Sequence, residues 1–120
     1  MQLKPGLVVR TREYSLTVMR LRASLPNTPV AWVIGDQLLR SGLSGPAHFR
    51  ESLHARSKAE YIAKLNGGLM ELEETLYWLE LTVLDKLVPA DDPYVEWLWD
   101  ESRQLIAIFL SLINRWKGER

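Results

Sequence analysis

The chain has no cysteine and only two histidines among its 120 residues. Disulfides and thiolate metal sites are thereby excluded, and His48 and His54 are too few for an all-histidine metal cluster. No run of about 18 or more apolar residues is present to span a bilayer. The N-terminus, with Lys4, Pro5 and Arg10 around a very short apolar stretch, lacks the apolar centre of a signal peptide. A cytoplasmic chain with no membrane partner is the expectation. Gly-x-Gly-x-x-Gly, the P-loop and Gly-x-Ser-x-Gly are missing too, so a phosphate cradle and a nucleophile elbow have no sequence support. Ser52 and His54 stand near one another, but residues two apart on a helix point away from each other and no orienting acid is evident. Hence no catalytic residue, no cofactor and no small-molecule substrate is expected.

What is present is apolar periodicity and a divided charge. Hydrophobic residues make up 47% of the chain, enough for one globular domain over residues 1–120 to bury a core. The formal net charge is zero, yet residues 1–64 hold ten Lys/Arg against four Asp/Glu, a net of +6, and residues 65–120 hold five against eleven, a net of −6. Two readings stay open. Either the helices pair their charges within and between subunits, or the positive half offers a surface to nucleic-acid phosphate.

From Ser57 to Val88 the sequence reads as one long helix, residues 57–88, and the rest is organised around it. Ile62, Leu65, Leu69, Leu72, Leu76, Leu79 and Val83 alternate steps of three and four, the spacing of a helix packed along another helix. Ser57 and Glu60 form a capping box at its start, and Pro89 sets its end. One seam does not offset the entropy of ordering so long a helix. Tyr61, Tyr77, Trp78 and Leu81 supply a second apolar face, for which a subunit contact is a natural use. Gly67 and Gly68 inside it point to close approach of another backbone.

The other helices follow in order. Tyr14, Val18, Leu21 and Leu25 form one stripe of a first helix over about residues 8–25, with Arg10, Arg12, Arg20 and Arg22 mostly off it as the densest basic group. Thr28 as N-cap and Pro29 as first helical residue open a second helix over 29–55, where Gly45 and Pro46 predict a kink or break. Its stripe reads as Val30, Val33, Ile34, Gln37, Leu38 and Ser41. Asp92 and Pro93 open a fourth helix over 93–117, with Val95, Leu98, Leu105, Phe109, Leu112 and Trp116 on its seam and Ser102 filling one position. Trp97, Trp99, Ile106, Ile108 and Ile113 widen its apolar surface, and Lys117 and Arg120 suit its negative end. Glu71, Glu73, Glu74 and Glu80 crowd the middle of the third helix, but a di-metal bundle uses Glu-x-x-His on two helices and only Glu51 and His54 have that spacing. No metal site is expected. Without strand-like alternation or internal repeat, the chain is all-α, and its short connections make an up-and-down four-helix bundle.

Gln37–Gly42 (QLLRSG), His48–Ser52 (HFRES) and above all Ala55–Leu81 (ARSKAEYIAKLNGGLMELEETLYWLEL) resemble the bacterial four-helix bundle protein family. These are also called the large-ribosomal-RNA intervening-sequence proteins, and the family includes the accessory variability protein of diversity-generating retroelements. The resemblance implies an antiparallel bundle assembled as a ring-shaped homopentamer, a non-catalytic scaffold or adaptor whose subunit contacts would fall at or near Trp78, Leu81, Trp97 and Trp99. For the retroelement branch it implies an accessory that binds a reverse transcriptase and RNA or DNA through a basic outer surface. Arg10, Arg12, Arg20 and Arg22 are then the phosphate contacts. Two departures stand out: Ser44-Gly45-Pro46-Ala47-His48 replaces the usual Ser-x-x-Ala-Asn, and the chain is neutral where that branch is basic.

Overall fold

A computed structural model describes residues 6–118 of the chain; the expectations for Lys4, Pro5 and Arg120 lie outside them. Four helices, α1 (Leu7–Ser24), α2 (Pro29–Ser52), α3 (Lys58–Leu84) and α4 (Pro93–Gly118), are the regular structure of the described residues, with no strand among them. The starts are fixed by side-chain caps. Thr28 Oγ1 accepts the Ala31 N–H at 3.3 Å and Ser57 Oγ the Glu60 N–H at 3.0 Å, while Asp92 Oδ1 takes the N–H groups of Tyr94 and Val95 at 3.0 and 3.1 Å.

Two helix limits differ from the sequence reading. The third helix stops at Leu84, four residues before Val88, because the chain turns at Lys86 with φ 57°. The Leu87 N–H then bonds the Thr82 carbonyl and the Lys86 N–H the Val83 carbonyl, which is a Schellman closure built without glycine. The second helix does not break at Gly45 and Pro46: α2 is continuous from Pro29 to Ser52. Proline removes the donor that the Gly42 carbonyl would have used, and Ser15 Oγ of α1 donates to that carbonyl instead, at 3.2 Å. Gly42 permits this approach, since a Cβ there would lie 2.7 Å from Val18 Cγ2.

The buried face of α3 is rotated from the one read in the heptads. Leu65, Leu72 and Leu79 are fully buried, but their partners on that face are Gly68, Thr75 and Thr82. Ile62, Leu69, Leu76 and Val83 are only partly covered. The small residues bring α2 and α3 together, the most extensively packed pair in the bundle. A Cβ on Gly68 would stand 3.1 Å from the Gly45 carbonyl oxygen and 2.9 Å from Phe109 Cε2. On α2 the same economy holds: Ala31, Gly35, Ser41, Gly42 and Gly45 are buried, whereas Val30 and Val33 face outward. On α4, Ile113 is buried where Leu112 and Trp116 were expected.

At mid-height each helix contributes one buried hydroxyl. Tyr14 Oη lies 2.6 Å from Ser102 Oγ, and Thr75 Oγ1 donates to Ser41 Oγ at 2.8 Å; Tyr14 also bonds Thr75, and all four residues are 0% exposed. Burial first, opposed by these bonds, pushes the Tyr14 hydroxyl up to about 12. A fully satisfied polar layer of this kind favours one alignment of the helices over slipped ones, because any slip leaves hydroxyls unpaired. Contacts between α2 and α3 run in opposite order: Ser41 meets Thr75, Gly45 meets Gly68 and Glu51 meets Lys64.

Candidate subunit and nucleic-acid surfaces

The four arginines of α1 do not form one surface. Arg10 is held by α4, with Nε and Nη2 on the Glu101 carboxylate at 3.1 and 2.6 Å and Nη2 also on Gln104 Oε1 at 3.0 Å. Glu101 is only 8% exposed, so this guanidinium neutralises a buried carboxylate, and its pKa is raised chiefly by that hydrogen bond. Arg22 lies across α2, where a Cβ on Gly35 would collide with its side chain, and reaches Asp36 at 3.4 Å. Arg12 and Arg20 are exposed and have no ion pair among the described residues. Two of the four therefore tie helices together, and two face outward.

Charge pairing between the halves of the chain accounts for further cations. Arg40 of α2 reaches both Glu71, at 3.1 Å, and Glu74 of α3. Glu71 and Glu74 thus serve a salt bridge, and among the described residues no three His, Asp or Glu side chains are grouped to hold a metal ion. No helix is long and apolar enough to cross a membrane among those residues.

The aromatic candidates separate by exposure. Trp97 and Trp99 on α4 are 41% and 37% exposed, and Trp32 and Trp116, not proposed from the sequence as contact residues, are 46% and 37%. Trp78 is half-buried beside Tyr77, 5.1 Å between ring centroids, with its indole N–H buried and without an acceptor. Leu81 is half-buried and lines an open groove of about 420 Å³ with Val30, Ile34, Leu84 and Asp85. Val30, Val33, Tyr77 and Leu84 add exposed apolar surface around this α2–α3 corner. The sequence reading took Val30 and Val33 into the core stripe of α2, which hid this surface.

An all-helical bundle with outward-facing indoles, and with no three His, Asp or Glu side chains grouped among the described residues, defines a small helical protein whose candidate sites are surfaces. The family model described as 23S rRNA-intervening sequence protein matches residues 7–108, and the chain belongs to that family. A solved structure from Bacteroides thetaiotaomicron, described as a protein with unknown function from the S23 ribosomal protein family, is similar at 31% identity. The match covers 90% of this chain and 98% of that one with a TM-score of 0.82. No curated protein matches the chain.

Proposed function

We propose that this protein is a non-catalytic, cytoplasmic scaffold or adaptor, an antiparallel up-and-down bundle that acts as a ring-shaped homopentamer. The observation that carries the reading is the exposure of four of its five tryptophans on a single chain. Indole is large and apolar, and patches of this kind on a soluble surface mark protein contacts more than they mark solvent. The order of contacts along α2 and α3 supports the antiparallel arrangement. Covering Trp97, Trp99, Leu81 and the half-buried Trp78 by neighbouring subunits would remove that apolar surface from water. Trp97→Glu and Leu81→Glu, tested singly by sedimentation with circular dichroism as the check on folding, should lower the mass while leaving helicity intact. Unchanged mass in both would refute the assignment of these contacts.

A second reading, an RNA- or DNA-binding accessory of a reverse transcriptase, is supported by one observation: Arg12 and Arg20 stay exposed without intramolecular partners among the described residues. Binding of a structured RNA over a salt series tests it. Each phosphate contact contributes a log–log slope of roughly −0.7 to −0.9, so Arg12→Ala with Arg20→Ala should flatten the slope by about two contacts. No binding at low salt would end this reading.

A further inference from the structure

The ion pairs just described leave a residue of charge, and the fold sorts it to opposite ends. One end is made by the close of α2, the start of α3 and the close of α4, joined where Tyr61 meets Trp116 at 5.5 Å. It carries Arg50, Arg56, Lys58, Lys64, Arg115 and Lys117 against Glu51 and Glu60. Arg50, Arg115 and Lys117 have no ion pair among the described residues, and Arg56, 91% exposed, has only Glu60 at 3.8 Å. The other end, around the α3–α4 connection, carries Glu80, Asp85, Asp91, Asp92, Glu96 and Asp100 against Lys86 and Arg20, and none of these acids has an ion pair among the described residues. Counted formally over the described residues, the imbalance is four charges of each sign.

These charges do not neutralise one another within the chain. The 27 residues of α3 separate the ends by about 40 Å, while screening at physiological salt acts over about 8 Å. Nor does helix stability explain them all. Acids at the start of α4 and cations at its close suit its dipole, but Arg56 and Lys58 at the start of α3 and Asp85 at its close oppose theirs. The ends also differ in shape. At the acidic end Leu79, Val83, Ala90, Val95 and Trp99 line an open pocket of about 320 Å³ with Glu80 and Glu96 on it. At the basic end the exposed Trp116 is flanked in sequence by Arg115 and Lys117.

We propose that the two ends are complementary halves of one interface between copies of this chain: the acidic end of one copy receives the basic end of the next. Apolar pocket and acids on one side match indole and cations on the other. The contact is head-to-tail, so it leaves a free end of each kind and propagates. It goes beyond side-by-side assembly through Trp97 and Leu81 and does not depend on it, for a ring of parallel subunits would carry one basic and one acidic face.

Charge exchange tests the idea. Arg56→Glu, Arg115→Glu and Lys117→Glu together turn the basic end acidic, and Asp85→Lys, Asp91→Lys and Glu96→Lys together turn the acidic end basic, each by reversing three charges against an imbalance of four; Asp92 is spared because it caps α4. Sedimentation of nuclease-treated protein should show mass growing with concentration at low salt and shrinking to the lateral unit at about 1 M, where screening acts over ~3 Å. Each variant alone should self-associate at least about tenfold more weakly at low salt, and an equimolar mixture of the two should restore growth. A salt-independent mass, failure of the mixture to restore growth, or growth that disappears with nuclease treatment would overturn the proposal, the last by assigning the basic end to a polyanion. A monomeric lateral unit at high salt would instead count against the ring alone.

Discussion

Two adjacent glycines on α3 should respond oppositely to the same substitution. Gly→Ala inside a helix is worth about 0.8–1 kcal/mol from propensity, and that gain is common to Gly67 and Gly68. Surroundings decide the sign. At Gly68 the new methyl would meet Phe109 Cε2 at 2.9 Å, the Gly45 carbonyl oxygen at 3.1 Å and His48 Cβ at 3.3 Å. Phe109 is fully buried and stacked on Phe49 at 5.7 Å, and the carbonyl belongs to a helix backbone, so neither gives way. Overpacking of this kind costs about 1–3 kcal/mol, leaving Gly68→Ala destabilised by about 1 kcal/mol. At Gly67 the nearest atoms to the methyl are those of the His48 ring, at 2.9 to 3.3 Å, the far end of a side chain that is 32% exposed and can give way where a backbone cannot. Gly67→Ala should therefore stabilise by about 0.5–1 kcal/mol. Urea unfolding followed by circular dichroism, at matched protein concentration, reads the difference of at least ~1.5 kcal/mol without reference to propensity. Equal effects at both positions would refute the close crossing of α2 and α3 at Gly45 and Gly68.

Other consequences are open to the same assay. Ser15→Ala should cost about 1 kcal/mol by orphaning the Gly42 carbonyl, and less in a Pro46→Ala background, where the restored N–H of residue 46 takes that carbonyl. Because the Tyr14 hydroxyl ionises at about 12 in the fold and near 10 when unfolded, its stabilisation is complete below about pH 10 and lost as pH rises towards 12. Tyr14→Phe should lack that alkaline decline, which amounts to on the order of 2 kcal/mol in the parent; parallel declines would contradict it. Arg10→Ala strands the carboxylate of Glu101 and should cost about 1–3 kcal/mol, reduced from the fully buried case because Arg10 is 23% open, whereas Arg12→Ala should stay within about 0.5 kcal/mol.

The parts of the fold legible in the sequence are those written by local chemistry. Thr28, Ser57 and Asp92 announce helix starts because a cap needs only a side-chain oxygen two or three residues before a free N–H. The stripe of Tyr14, Val18, Leu21 and Leu25 is legible because α1 buries its large residues. The core faces of α2 and α3 are less so, since they are built from Gly, Ala, Ser and Thr, whose burial follows from how closely two helices cross and not from hydropathy. The continuity of α2 through Pro46 depends on Ser15, a residue on another helix, and the end of α3 depends on a lysine in a conformation usually left to glycine. Neither carries a local signature. The same limit applied to the surfaces: four arginines in one helix looked like one site until Glu101 and Asp36, distant in sequence, took two of them.

The claim at the centre is assembly through apolar contacts that a single chain leaves uncovered. Its most direct test is the mass of the purified protein at micromolar concentration in about 1 M salt, where end-to-end charge contacts are screened and apolar ones are not. A pentamer has five times the mass of the 13.8 kDa chain, about 69 kDa, and that is the expected particle. A particle of 13.8 kDa under those conditions would contradict it.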